Sequence, residues 1–151
     1  ASEQLPAPDA LVLLDGFFPD QQSNQIFAKE IAQATMPTLD LYQEDGGRWP
    51  LLAAEALANS ATVTVLLLGG RMRGRTLATV DHWATGMLAG LVIDVAFLGT
   101  NGISVEHGLT TPDPAVAAVK QTAVKVARRR ILVAAHSKFG ADSFCRYSAV
   151  L

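Results

Sequence analysis

The chain is poor in almost everything that would tie it to a special environment. One cysteine, Cys145, among 151 residues excludes an internal disulfide and any cysteine-built metal site, and it fits a reducing compartment. The longest apolar runs, TVTVLLL (62–68) and LVIDVAFL (91–98), fall far short of the roughly 20 residues a membrane helix needs. Net charge is also scarce. Twelve basic against 14 acidic residues leave −2 at pH 7, so the chain carries no overall electrostatic footprint for nucleic acid or an anionic membrane. The N-terminus, ASEQLPAPDA, lacks a basic segment followed by an apolar one and is no secretory signal. His82 and His107 have no partner at metal-ligand spacing, so we expect neither a metal nor a cofactor. These absences predict a soluble cytoplasmic domain.

What remains is a core. Half of the residues are hydrophobic, and the length suits one domain better than two. Apolar strand-like runs alternate with amphipathic or alanine-rich stretches. ALVLL (10–14), TLDLY (38–42), ATVTVLLL (61–68), VIDVAFLG (92–99) and ILVAA (131–135) read as strands, with 61–68 the clearest because it is β-branched and ends at Gly69-Gly70. YSAVL, at the end of the chain, reads as the start of another. Helices are expected over 20–34, opened by Asp20, over 48–59, with Pro50 in the first turn, over 81–89, with Asp81 as N-cap, and over 112–130. Strands of near-continuous apolarity separated by helices predict an α/β fold, a mostly parallel sheet with helices on both faces. Residues 1–9 are expected to lie outside the domain.

In such sheets ligands sit beyond the carboxyl ends of the strands, so the residues just past each strand are the functional question. They are Asp15-Gly16-Phe17-Phe18, then Gly69-Gly70-Arg71 followed by Arg73 and Arg75, then Gly99-Thr100-Asn101-Gly102, and finally His136-Ser137-Lys138. Glycine lets backbone N–H groups approach an anion, and lysine and arginine supply charge. The mixture suits a small, polyhydroxylated, anionic ligand such as a phosphorylated sugar.

Bland readings compete with this one. Gly16 and Gly140 read first as turn residues, and Arg73 and Arg75 as a solvated face. Arg128-Arg129-Arg130 reads as a charge set at a helix C-terminus, where arginine suits the dipole. Asp94 reads as exposed at a strand edge or capping a neighbouring loop, and Cys145 as a packed thiol. Lys138 has few bland readings, because it follows five apolar residues and a turn at the strand end.

LLLGGRMRGRTLATVDHWA, DVAFLGTNGISVEHGLTTPDPAVAAVK and HSKFG, in this order and spacing, resemble the C-terminal effector-sensing domain of DeoR-type bacterial transcription repressors, more narrowly an actinobacterial branch. The resemblance covers residues 61–151. It implies a fold similar to ribose-5-phosphate isomerase and the CoA transferases, a phosphorylated sugar or polyol as effector, and a homo-oligomer. DNA would be contacted only through a winged helix-turn-helix missing from this chain, and the domain itself would be truncated after Leu151. Carried over residue by residue, Lys138 reaches the anionic or carbonyl end of the ligand, and Thr100 and Asn101 bind its hydroxyls beside Gly102. Gly69, Gly70 and Arg71 match a glycine-pair turn, Asp15 and Gly16 remain from the usual phosphate loop, and Lys120 is structural.

The sequence also departs from that family. Phe17 and Phe18 stand where phosphate-holding threonines are usual, Glu44 and Asp45 follow the second strand, and Ala135 and Val116 replace acidic residues. Three alternatives stay open: a sensor, with a different ligand or with Ser23, Asn24 or Arg71 compensating; an isomerase-like enzyme using Lys138 with Asp15 or Glu106; and a ligand-blind oligomerisation module. The acidic pair an isomerase needs is absent from the Thr100–Asn101 loop, which favours the sensor.

Overall fold

The computed structural model describes residues 11–14, 38–41, 59, 64–74, 76 and 78–150. Its centre is a four-stranded parallel sheet of β1 (Leu11–Leu14), β2 (Thr38–Leu41), β5 (Ile93–Leu98) and β8 (Ala127–Leu132), in the order β2-β1-β5-β8. A hairpin of β3 (Arg71–Met72) and β4 (Thr79–Val80) leads into helix α1 (Asp81–Ala89). A second, antiparallel sheet orders β6 (Gly102–Ser104), β7 (Gly108–Thr111) and β9 (Cys145–Ser148) as β6-β7-β9. Helix α2 (Pro114–Val126) lies between the two sheets in sequence and in space.

α2 begins where it does because Asp113 accepts hydrogen bonds from Ala115 N (2.8 Å) and Val116 N (3.2 Å), with Pro114 following. These satisfy two of the backbone donors that every helix start leaves orphaned, and proline is harmless there. Its apolar residues then divide between two cores. Val119 and Ala123 pack with Leu68, Ala84, Leu88, Ile93, Ala96 and Leu98, joining α1, α2 and β5. Ala117 packs with Ile103, Leu109 and Tyr147 of the antiparallel sheet. Fully burying a side chain such as Leu88 or Ile93 contributes about 1.5–3 kcal/mol, and both are almost completely inaccessible.

The α/β class and the parallel sheet agree with the sequence, and so do strands at 11–14, 38–41 and 93–98 and a helix at 81–89, whereas the strand expected to begin with YSAVL runs instead over 145–148 and joins the antiparallel sheet. The expected helices at 20–34 and 48–59 fall almost wholly outside the described residues. Six other expectations are corrected. The run 61–68, taken as the clearest strand, forms no strand over its described part. Its described part, from Thr64, makes only an isolated bridge at Val65, and Leu66 and Leu67 are more than half exposed. Strand propensity measures fit to a pleated, half-buried surface, and both sides of β1 are already taken by β2 and β5.

The long helix stops at Val126, four residues before its expected end, and the chain enters β8 without a loop. Pairing of Ala127 through Leu132 with β5 supplies the backbone partners that a longer helix would have provided. The arginines Arg128–Arg130 therefore sit on an edge strand and not at a helix terminus, where charge discourages edge-to-edge association. ILVAA is accordingly the end of an edge strand, with Leu132 and Val133 each 38% exposed, and not a buried strand of its own. Asp94 is neither edge-exposed nor a loop cap: it accepts a 2.6 Å hydrogen bond from Arg128 across the sheet. Finally, the N-cap of α1 is Val80. Asp81 is the first helical residue, and its carboxylate holds Arg71 at 2.7 Å.

Candidate functional site

Because all four strands of the main sheet run parallel, the segments following β5 and β8 emerge at the same edge. After β5 the chain forms the loop Gly99–Asn101 and turns into β6. After β8 an extended stretch, tied by Val133 N to the Leu98 carbonyl (2.8 Å), leads to a short 3-10 turn, His136–Lys138. This second segment is seated directly on the first. Phe139 bridges Ile103, Gly140 N donates to the Ile103 carbonyl (2.9 Å), and Ser143 N donates to Thr110 Oγ1 (2.9 Å). At Gly102 the approach is so close that a Cβ would stand 2.6 Å from Thr110 Oγ1 and 2.8 Å from the Ala141 carbonyl carbon.

The structure thus brings Lys138, Thr100, Asn101 and Gly102 into one neighbourhood. Lys138 is half-buried. Its backbone N–H closes the turn on the Ala135 carbonyl (3.0 Å), and its side chain makes no hydrogen bond or ion pair with a described residue. Thr100 is buried, and its hydroxyl lies 2.9 Å from the Gly102 carbonyl and 3.0 Å from the Thr110 carbonyl. A hydroxyl has one proton, and here it is committed within the loop, so Thr100 braces the loop from inside. Asn101 is half-buried, with its Oδ1 accepting from Thr111 Oγ1 at 3.0 Å.

Gly69, Gly70 and Arg71 belong to a neighbouring assembly built on α1. Gly70 has φ 147, and a Cβ there would sit 2.5 Å from the Val80 carbonyl oxygen, so only glycine fits the turn. Arg71 is held by Asp81, whose hydrogen bond and charge raise its pKa further above the ordinary arginine value. The residue that reaches toward the loops is Arg73, which the sequence reading assigned to solvent. It contacts Asp113 at 3.1 Å and Thr76 Oγ1 at 3.3 Å, tying the hairpin to the start of α2. Asp15 and Gly16, with Phe17 and Phe18, lie outside the described residues.

Two further groups were not among the predicted site residues, although the resemblance already marks the first as structural. The first is Lys120, only 4% exposed, whose Nζ donates to the Gly99 carbonyl at 2.9 Å beside the Tyr147 ring. Its signal was available in the spacing. Val116, Ala117, Lys120 and Ala123 recur at helical intervals on the buried face, which places a lysine among core positions. The second is a cluster on the outer side of the 136–144 segment. Ser104 Oγ donates to Asp142 at 2.6 Å and accepts from His107 N at 3.0 Å, while His107 Nδ1 stands 3.1 Å from the other Asp142 oxygen. The Ser104 hydrogen bond is the main cause holding the Asp142 carboxyl below its ordinary pKa, with His107 adding to it.

That cluster combines a hydroxyl, a carboxylate and an imidazole, but in the wrong order for nucleophilic chemistry. The carboxylate stands between the other two, so the serine proton goes to Asp142 and no imidazole base faces the hydroxyl. Its role is to clamp the 104–107 turn to the segment bearing Lys138. Elsewhere, a cavity of about 220 Å³ is lined mainly by Leu98, Leu109, Val124 and Leu132, with Arg130 at its side. It is apolar and includes none of the predicted site residues.

The described residues thus join two segments that follow parallel strands of an α/β domain, one with hydrogen-bonded loop residues and one carrying Lys138. Comparison with known proteins gives it a family. A family model described as the DeoR C terminal sensor domain matches residues 50–150, more than half of the chain, and the chain belongs to that family. It is similar to an uncharacterized HTH-type transcriptional regulator, FruR, of Bacillus subtilis, at 39% identity over 88 residues, 58% of this chain and 35% of that protein. Against the HTH-type transcriptional regulator GlpR of Haloferax volcanii it is 40% identical over 101 residues, 67% of this chain and 39% of that protein. Against the HTH-type transcriptional repressor GlcR of Bacillus subtilis it is 30% identical over 95 residues, 63% of this chain and 36% of that protein. The chain thus spans a little over a third of the length of these relatives. Each of these relatives is named as a transcriptional regulator or repressor. Among the described residues no helix is long and apolar enough to cross a membrane.

Proposed function

We propose that this chain is the ligand-sensing and oligomerising domain of a DeoR-type cytoplasmic repressor of sugar metabolism, taking a phosphorylated sugar or polyol at the strand-end crevice. Lys138 meets the anionic or carbonyl end of the effector, and Asn101 and the backbone around Gly102 meet its hydroxyls. Gly69, Gly70 and Arg71 form a flanking wall, in a fold related to ribose-5-phosphate isomerase, and Asp15 and Gly16 are assigned to the effector by the family resemblance alone. Operator binding belongs to a winged helix-turn-helix outside residues 10–151. Effector binding favours one domain arrangement over another, by no more than its differential affinity for the two.

The observation that carries the reading is the seating of the 138–141 segment on Gly102 and Ile103. It supports the reading because the segment carrying Lys138, whose side chain has no hydrogen bond or ion pair among the described residues, packs on the strand that follows the Thr100–Asn101 loop, on the side of an α/β sheet where ligands bind. A thermal-shift screen of the protein against pentose and hexose phosphates and the free sugars tests it. An effector at 100 times its Kd adds about 2.7 kcal/mol, and Lys138→Ala should abolish that gain while leaving the unliganded melting temperature within about 2 °C, as for an ordinary surface change. Turnover of any of these compounds, lost in Lys138→Ala, would replace the sensor with an enzyme. No shift with any compound would leave only oligomerisation.

A further inference from the structure

The Gly99 carbonyl, at the junction between β5 and the Thr100–Gly102 loop, receives two side-chain donors from different elements. Lys120 Nζ reaches it from α2 at 2.9 Å and Tyr147 Oη reaches it from β9 at 2.8 Å. Both donors are 4% exposed, and the ammonium lies 5.4 Å from the centre of the Tyr147 ring. A carbonyl oxygen has two lone pairs, and this one uses both. Burying a lysine ammonium is costly unless its hydrogen bonds are met, and the Gly99 carbonyl meets one of them. Core packing alone would be served as well by methionine, and the Tyr147 ring by phenylalanine.

We infer that Lys120 and Tyr147 are positioning residues for the effector crevice: together they set the orientation of the Gly99–Thr100 peptide and so the shape of the loop that carries Asn101. The inference rests on the reading of the strand ends as a ligand site. Because a trans peptide is planar, fixing its carbonyl toward α2 and β9 turns the Thr100 N–H to the opposite side. Thr100 and Asn101 then complete the loop through the Thr110 carbonyl, at 3.0 Å from the Thr100 hydroxyl and 3.1 Å from Asn101 N. The arrangement also joins the crevice to both cores, since Lys120 neighbours Val119 of one and Tyr147 belongs to the other.

The test compares Tyr147→Phe and Lys120→Met with wild type, with Val119→Ala as a control that destabilises the same helix without touching the anchor. Amide hydrogen exchange at Asn101 and Gly102 and the Kd for ribose 5-phosphate and glucose 6-phosphate are the two readouts. Tyr147→Phe should raise exchange at these amides at least tenfold beyond any global change and weaken the bound sugar phosphate at least fivefold. Val119→Ala, at comparable melting temperature, should do neither. If the wild type binds a probe and Tyr147→Phe binds it equally well, or if Val119→Ala opens the loop as much, the positioning role is refuted. If the wild type binds neither probe, the sugar-phosphate reading beneath it fails instead, and Asn101 exchange unchanged in both anchor variants refutes the anchor independently. Should Lys120→Met not fold, Tyr147→Phe, which keeps the ring and removes one hydroxyl, decides alone.

Discussion

Replacing Gly102 with alanine is the sharpest test of how the two segments of the site are joined. One methyl group is added on β6, where the chain after Lys138 crosses it. The new carbon would overlap the Ala141 carbonyl group and stand 2.6 Å from Thr110 Oγ1. The Ala141 atoms are backbone and cannot rotate away as a flexible side-chain end could. Overpacking of this kind costs about 1–3 kcal/mol or more, and the lower entropy of the unfolded alanine chain returns only about 0.4–1 kcal/mol. A net loss of about 2 kcal/mol in a domain of this size lowers Tm by about 4–8 °C.

The comparison is Gly86→Ala, in the middle of α1, where an added Cβ meets nothing within 4 Å. There alanine should stabilise by about 0.5–1 kcal/mol, because glycine is a poor helix residue. Differential scanning calorimetry of the two variants therefore gives opposite signs. Gly102→Ala melting within about 1 °C of wild type would show that the 138–141 segment yields freely. The close seating of the 138–141 segment on Gly102 and Ile103 would then be no constraint at all. A fall in Gly86→Ala matching that in Gly102→Ala would equally defeat the argument, since it would reflect a general intolerance of alanine.

Other perturbations follow from the same geometry. Asp113→Ala removes the cap of α2 together with the Arg73 contact, and should cost about 1–2 kcal/mol in urea titrations. Asp113→Asn keeps an oxygen for the cap and should recover most of that loss, which a purely ionic role for Asp113 would not allow. Asp142 lies below its ordinary 3.8, so folding favours its ionised form. Its contribution is complete at pH above the ordinary carboxylate range and is lost as pH falls through about 4 and below. Asp142→Asn should therefore flatten the dependence of Tm on pH between about 5 and 3, and a curve parallel to wild type would contradict the clamp. Arg128→Ala breaks an ion pair whose arginine is 67% exposed, and should change stability by less than about 1 kcal/mol.

Legibility of the fold tracked the extent to which local pattern and tertiary demand agreed. β5 is buried at Ile93, Val95, Ala96 and Leu98, so its apolar run and its central place in the sheet say the same thing. The 61–68 run has an equally good pattern, but both sides of the central strands β1 and β5 are taken, and pairing is a property of two segments that one sequence window does not contain. At Val126–Ala127 the helix pattern continues into the arginines, yet β5 offers a ladder of backbone partners and the chain takes it. Propensity differences of a few tenths of a kcal/mol per residue do not withstand that. Lys138 and the Gly99–Gly102 loop were visible because topology alone sends parallel strand ends to one edge. The anchoring of that loop was not, because Tyr147 lies 48 positions from Gly99 and no spacing rule connects them.

The same contrast bears on how the crevice can report a ligand. Thr100 is satisfied inside its own loop, and Gly99 is held from α2 and β9, so the polar wall of the site is rigidly tied to both hydrophobic cores. The Lys138 segment is fastened differently, through backbone bonds to Ile103, one to Thr110 Oγ1, and the exposed Ser104–Asp142–His107 clamp. Partly exposed contacts of this kind open at lower free energy than core contacts. An effector bridging Lys138 to Asn101 would therefore tighten the weaker segment against the stronger one. A signal of that form requires the effector to bind the closed arrangement better than an open one, and the proposed sensing role would draw the open one from the more weakly fastened segment.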